Sequence, residues 1–296
     1  MRRRLIDAKW LAVYMLGPAL LIYLVFAVYP SVNVLYLSFV KWNGLDPEKV
    51  FVGLENYRYI FQNDPVFWKA FNNTMIWTFL SLVFPPLIGF VLALALNQRI
   101  WGRSALRAIF YMPVIIASIA VATMWRWMYD PFYGVINWTL SHLGLDFLIQ
   151  DWLGDGDIAI YSIFVAFVWQ SVGTCMVLFL AGLQNVSLTL IEAARIDGAS
   201  RWNVFRHVTL PAVSSTIAIV LVLTVINSLK AFDIVYGMSG GGIFEDTQIL
   251  ALWTFVQSMN IFDFGRGSAI AVILILLSMV VVVPYMFWLD TRRNKA

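Results

Sequence analysis

Residues 189–211 read TLIEAARIDGASRWNVFRHVTLP, a polar segment that lies between two long apolar runs. Thr189 and Glu192 have the Thr-x-x-Glu spacing of a capping box, which predicts the start of a helix. Gly198 can adopt the left-handed backbone conformation that ends such a helix, and Ser200 can cap a second one. The segment is therefore predicted to form two short helices joined at a glycine corner.

The second helix is predicted to carry apolar side chains on one face. Trp202, Phe205 and Thr209 are spaced three or four residues apart, as neighbours on a helix surface are. Pro211 lacks a backbone N–H, so it is predicted to stand at the start of the following helix. The two helices together are called the elbow, and the elbow is predicted to project from a membrane.

The composition places the chain among membrane proteins. Apolar residues make up 61% and charged residues 12% of the 296 residues, with a mean hydropathy of +0.78. Soluble domains are far more polar. The single cysteine, Cys175, excludes an intrachain disulfide and a cysteine-based metal site. The small formal net charge of +3 implies no nucleic-acid partner.

Six apolar runs approach the length of about 20 residues that a spanning helix needs. An N-terminal Arg2-Arg3-Arg4 before the first run could belong to a signal peptide, but the run is too long and lacks a small-residue cleavage site. It is therefore interpreted as a retained span. Pro85-Pro86 and Pro113 are predicted to interrupt the second and third spans. The prediction is one all-α polytopic transmembrane domain over 1–296, with spans near 11–29, 73–96, 108–127, 159–183, 212–236 and 267–289.

The distribution of charge orients these spans. The loop at 128–157 holds five aspartates and no lysine or arginine, so it is predicted to be external. With both termini in the cytoplasm, the inner side would hold four acidic residues and thirteen basic ones: Arg2, Arg3, Arg4, Lys9, Arg99, Arg103, Arg107, Arg195, Arg201, Arg206, Arg292, Arg293 and Lys295. The elbow then faces the cytoplasm.

The elbow resembles the EAA loop of the permease subunits of bacterial ABC importers, and the wider chain is similar to the sugar-type branch. Two external segments, Phe51 to Tyr57 and Phe232 to Gly242, are similar to that branch as well, although Ile243 stands where proline is frequent. The resemblance implies a type I importer fold in which loop 187–211 carries the coupling helix that docks on a separate ATPase. The residues that it assigns to ATPase coupling are Glu192, Ala193, Ala194, Asp197, Gly198, Phe205 and Pro211.

Few polar residues lie in or beside the spans, where uncompensated charge is costly. Gln170 and Thr174 are one helical turn apart with Trp169 adjacent, and interhelical packing is favoured over substrate contact for them. A later set could line a pathway for sugar hydroxyls, or equally form a structural cluster at a helix end. Within it, Lys230 and Asp233 are predicted to pair; the set is Asn227, Lys230, Asp233 and Tyr236.

The resemblance implies half of an ATP-driven import pathway for a carbohydrate or related polyol derivative. It also implies a second, different permease, two ABC ATPase subunits that bind ATP and Mg, and an extracytoplasmic solute-binding protein. This chain would sit in the bacterial inner membrane, bind no cofactor or metal, and be no enzyme. The alternative hypothesis is an ion-coupled secondary transporter, which would place ionisable residues near the midplane of its spans.

Overall fold

A computed structural model describes residues 14–98, 100–240 and 245–293, without the side chains of 286 and 288–293. The predictions for Arg2 to Arg4, Lys9, Arg99, Gly241 to Ile243 and Lys295 lie outside these residues. The described chain is almost entirely helical. Its helices are α1 (Tyr14–Leu37), α2 (Glu55–Asn63), α3 (Pro65–Leu96), α4 (Arg103–Ile115), α5 (Ser118–Met128), α6 (Val135–His142), α7 (Ala159–Gln184), α8 (Leu188–Ile196), α9 (Arg201–Ala212), α10 (Ser214–Leu229), α11 (Phe232–Met238), α12 (Leu250–Phe255) and α13 (Phe264–Arg293).

Four of these helices are long and apolar enough to cross a membrane: α1, α3, α7 and residues Phe264–Tyr285 of α13. Two bent helix pairs are also long and apolar enough when each is taken as a unit, with α4 and α5 meeting at 99° and α9 and α10 at 62°. Counting each pair as one span gives six, the predicted number.

The predicted interruption of the third span, over 108–127, at Pro113 is confirmed. α4 ends at Ile115, because Ile116 and Ala117 adopt extended backbone angles with ψ of 134° and 136°. The break lies just after Pro113, which removes one backbone donor from the last turn of α4. The predicted interruption at Pro85-Pro86 is wrong, since α3 continues through both residues from Pro65 to Leu96.

The fifth span also differs from its predicted extent of 212–236. α10 begins at Ser214 and ends at Leu229, and Lys230 and Ala231 leave helical geometry before α11 starts. After this turn α11 buries Ile234, Val235 and Met238 on one face. The other predicted spans fall within longer helices: α3 starts at Pro65, α7 closely matches 159–183, and α13 covers Phe264–Arg293.

The bundle core forms where α3 and α7 approach closely. A Cβ added to Gly89 would lie 2.6 Å from Cβ of Cys175 and 2.9 Å from the backbone nitrogen of Met176. Small residues allow such approach between membrane helices, where packing rather than the hydrophobic effect drives association. The buried side chains around this contact include Ala93, Cys175, Met176, Phe179 and Leu180.

The chain divides into two compact units. The first comprises the described residues up to 64 together with 254–273, and the second comprises 65–253 and 274–293. Within the first unit, β1 (Val40–Lys41) and β2 (Val50–Phe51) pair antiparallel. The buried Asn56 side chain donates to the carbonyl oxygens of Ser38 and Val40 at 2.9 and 3.0 Å, which fixes this loop. The single domain predicted over 1–296 stays a prediction.

Candidate coupling elbow and polar pathway

The first helix of the elbow begins earlier than predicted. α8 starts at Leu188 after Ser187, so Thr189 lies inside the first turn and the predicted Thr189–Glu192 capping box is wrong. The two hydroxyl groups contact each other instead, with Oγ of Ser187 2.6 Å from Oγ1 of Thr189. Glu192 is exposed, and its carboxylate has no hydrogen bond or ion pair to another described residue. That carboxylate is therefore available to a partner.

The glycine corner is confirmed in detail. Gly198 has φ of +81°, in the left-handed region. Its N–H donates to the Arg195 carbonyl at 3.1 Å, and the N–H of Ala199 donates to the Ala194 carbonyl at 3.0 Å. These two bonds form a Schellman motif, which satisfies carbonyls at the end of α8. The motif sets the direction in which the chain leaves Asp197, the exposed residue that ends the helix.

The second arm of the elbow follows the prediction at its start. The Ser200 hydroxyl accepts a hydrogen bond from the Asn203 N–H at 3.2 Å, so Ser200 caps α9. The rings of Trp202 and Phe205 lie 5.5 Å apart, and the Phe205 ring is 6.2 Å from that of Phe90 on α3. Phe205 thus attaches the elbow to the membrane bundle.

Pro211 stands at the start of the short α-helical turn Leu210–Ala212, as predicted, although the next long helix, α10, begins only at Ser214. It is exposed and lies in the last turn of α9, two residues after Thr209, where the π-helical segment Phe205–Thr209 ends. The Leu210 N–H donates to the Phe205 carbonyl, five residues back. Pro211, which has no N–H, therefore falls where the regular i to i−4 ladder is already interrupted.

α8 presents an unusual amount of apolar surface. None of its residues is buried, and Leu188, Leu190 and Ile196 are 73%, 58% and 86% exposed. Ala193 is exposed beside Glu192, and Ala194 is half-buried. Exposed apolar surface of this kind is typical of sites that contact another protein, a membrane or a ligand. These three side chains were not among the predicted coupling residues, although they occupy more than one face of α8 and could not all be buried against one neighbour.

The candidate pathway residues on α7 have structural partners. Gln170 donates from Nε2 to the Ile116 carbonyl at 2.9 Å, which satisfies an acceptor at the break between α4 and α5. Trp169 lies 6.0 Å from Trp125 by ring centroids. Thr174 is half-buried one turn along from Gln170. The geometry supports the interhelical reading of Gln170.

Replacing Gln170 by leucine is expected to lower the free energy of unfolding by about 0.5–1.5 kcal/mol, because the Ile116 carbonyl loses a partly buried hydrogen bond. The KM for transported solute should remain unchanged. The matched control is Asn227→Leu, an exposed position where the unfolding free energy should change by less than about 0.5 kcal/mol. Denaturation in detergent measures the two unfolding free energies, and uptake kinetics measure the KM. A tenfold rise in KM without loss of stability would instead indicate that Gln170 contacts substrate.

The second candidate group surrounds the end of α10. Asn227, Lys230 and Asp233 are all exposed. The predicted Lys230–Asp233 pair is wrong among the described residues, because the helix break at Lys230 and Ala231 changes the direction of the chain between them. Lys230 instead lines a groove of about 260 Å³ between α10 and α13. Tyr236 stacks on Phe232 with ring centroids 5.2 Å apart.

The described residues contain no group of three or more His, Cys, Asp and Glu side chains arranged to hold a metal ion. What the geometry provides is a bundle of apolar spans, a short elbow with an exposed apolar helix, and scattered polar groups near one helix end. This combination defines a polytopic membrane protein with an exposed helical elbow.

Comparison with known proteins gives the family. Residues 85–294 match the family described as the binding-protein-dependent transport system inner membrane component. The chain is 37% identical over 289 residues to a probable ABC transporter permease protein of Pyrococcus horikoshii, covering 97% of both chains. It is 36% identical over 280 residues to the trehalose/maltose transport system permease protein MalF of Thermococcus litoralis, covering 95% of this chain and 93% of the relative.

The fold matches a chain in the crystal structure of a bacterial ABC transporter involved in import of the acidic polysaccharide alginate. The TM-score is 0.85 at 24% identity, with 98% of each chain covered. This likeness confirms the all-α fold of a type I ABC importer permease.

The chain therefore belongs to the family of inner membrane components of binding-protein-dependent transport systems. It is a multi-pass membrane permease subunit of an ABC importer and not an enzyme. Membership of this family excludes the alternative hypothesis of an ion-coupled secondary transporter.

Proposed function

We propose that this chain forms half of the translocation path for a carbohydrate or related polyol derivative. A second permease, a different chain, completes the path. Two ABC ATPase subunits bind ATP and Mg and dock on the elbows, while an extracytoplasmic binding protein delivers the solute. The carbohydrate assignment is supported by the named substrates of the relative from Thermococcus litoralis and of the alginate importer.

The observation that carries the coupling role is the exposure of α8. Its apolar side chains and the unpaired Glu192 carboxylate form a surface suited to a cleft in another protein. The Schellman motif at Gly198 and the Phe205–Phe90 contact hold this surface at a defined angle to the bundle. ATP-driven closure of the ATPases would then move the elbow and bias the permease between inward and outward access, as differential binding to two states requires.

Topology supports a cytoplasmic position for the elbow and for both termini. The excess of lysine and arginine near the elbow and the acidic loop at 128–157 follow the positive-inside rule. With six spans, the two termini fall on the same side as the elbow.

Reconstitution into proteoliposomes tests the proposal. Uptake of maltose or trehalose should require both permeases, the ATPase, internal ATP and the external binding protein. An ATPase variant that binds but cannot hydrolyse ATP serves as the control, and it should give no sustained uptake. Uptake by this chain alone, driven by a proton or sodium gradient, would contradict the proposal.

A further inference from the structure

The Pro65 end of α3 is attached to residues 246–250 by buried hydrogen bonds. Asn73, 9% exposed, donates from Nδ2 to the carbonyl oxygens of Asp246 and Gln248 at 2.8 and 2.9 Å. Thr74, 3% exposed, accepts at Oγ1 from the Leu250 N–H at 2.9 Å. We call this attachment the clamp. A side-chain amide that bonds two backbone carbonyls fixes both the position and the direction of the segment.

An exposed ion pair accompanies the clamp. Lys69 pairs with the Asp246 carboxylate, and both side chains are 46% exposed. A Cβ added to Gly156 would lie 2.5 Å from Oδ2 of Asp246, so the residues that precede α7 also contact this point. An exposed pair stabilises little, whereas buried amide bonds are costly to break. Asn73 is therefore the main determinant of the clamp.

Helices α10 and α11, which precede the clamp in the chain, are held by neighbouring helices. The Ser228 hydroxyl donates to Oγ1 of Thr78 on α3 at 3.3 Å. On α11, a Cβ added to Gly237 would lie 2.6 Å from Cβ of Ala122 on α5. α11 carries Asp233 and Tyr236, so the position of this helix determines the positions of these two side chains.

The far end of α3 contacts the elbow. Phe90 packs 5.0 Å from Phe179 and 6.2 Å from Phe205 by ring centroids. Asn73 and Phe90 are seventeen residues apart in one uninterrupted helix, which is about 25 Å along its axis. One rigid element therefore links the clamp to the base of the coupling elbow.

We propose that Asn73 is a positioning residue for transport, because it makes residues 246–250 move together with α3. A binding protein that docks on the membrane face where the clamp lies would thereby change the position of the elbow at the other end of α3. This inference rests on the proposed function and adds the route by which the two sides communicate. Coupling between distant sites needs such a shared element with two arrangements.

The test uses the complete complex in nanodiscs and measures ATP hydrolysis with and without loaded binding protein. Asn73→Asp keeps the shape of the side chain but replaces the amide donor by an acceptor. The ratio of stimulated to basal hydrolysis should fall at least about fivefold. Thr74→Val, which removes the acceptor for Leu250, should lower the ratio in the same direction, and Thr74→Ser should retain the wild-type ratio.

Lys69→Gln is the matched control, since it removes only the exposed pair, and the ratio should change by less than about twofold. If Asn73→Asp does not assemble, the Thr74 pair decides the outcome, because valine and threonine have the same shape. Wild-type stimulation ratios in both Asn73→Asp and Thr74→Val, or equal ratios in Thr74→Val and Thr74→Ser, would overturn the inference. Absence of stimulation in the wild-type complex would instead contradict the proposed function.

Discussion

Replacing Gly198 by valine is expected to reduce ATP-driven uptake about tenfold while the chain still folds and inserts. A non-glycine residue in the left-handed conformation costs roughly 1–2 kcal/mol, and a β-branched side chain is among the worst. No heavy atom lies within 4 Å of an added Cβ at Gly198, so the penalty comes from the backbone rather than from a clash. The elbow would relieve the strain by opening the Schellman motif, which changes the angle at which α8 meets its partner.

Two controls separate this effect from general destabilisation. Gly198→Asn should retain most of the uptake, because asparagine tolerates the left-handed region. Gly144→Val imposes similar strain, at φ of +71° with no heavy atom within 4 Å of the added Cβ, but lies outside the elbow. It should leave uptake within about twofold of wild type, the range expected of a surface substitution. Equal loss in Gly198→Asn and Gly198→Val would show that the glycine conformation is not what matters.

The second large effect is expected at Gly89. Valine there would drive its side chain into Cβ of Cys175 and the backbone nitrogen of Met176, neither of which can rotate away. Overpacking of a well-filled core costs about 1–3 kcal/mol, and rigid neighbours place this site at the upper end. The unfolding free energy in detergent should therefore fall by about 3 kcal/mol.

Gly17→Val provides the matched control for Gly89, because an added Cβ at Gly17 meets nothing within 4 Å. Its unfolding free energy should change by less than about 0.5 kcal/mol. A Gly89→Val variant as stable as Gly17→Val would contradict the close packing of α3 on α7.

Local sequence patterns predicted the elbow well because its decisive features are local. A glycine that ends a helix and a serine that caps the next one act within a few residues, and both are found at Gly198 and Ser200. The start of α8 was predicted wrongly because two nearby residues offer the same local signal. Ser187 and Thr189 are both residue types that can cap a helix, and α8 begins directly after Ser187.

The breaks in the spans were less predictable because tertiary contacts determine them. The turn at Ile116 is completed by Gln170, 54 residues away in sequence. Pro113 indicated that this span is interrupted, but hydropathy shows a continuous apolar run and does not predict the 99° angle between α4 and α5. At the end of α10, helical spacing suggested that Lys230 and Asp233 face each other, but the chain leaves the helix between them. The clamp at Asn73 and Thr74 gave no local signal, since its partners lie more than 170 residues further on.

The account depends most on the elbow meeting an ATPase on the cytoplasmic side, and site-specific cross-linking tests this directly. A Glu192→Cys variant in a Cys175→Ala background carries one thiol, on the exposed face of α8. In sealed cells the account predicts no labelling by a membrane-impermeant reagent added outside, and a cross-link to the ATPase in the assembled complex. A Gly144→Cys variant, on the acidic loop, should be labelled from outside and serves as the control. Labelling of the Glu192→Cys thiol from outside, or no cross-link to the ATPase in a complex that hydrolyses ATP, would contradict it.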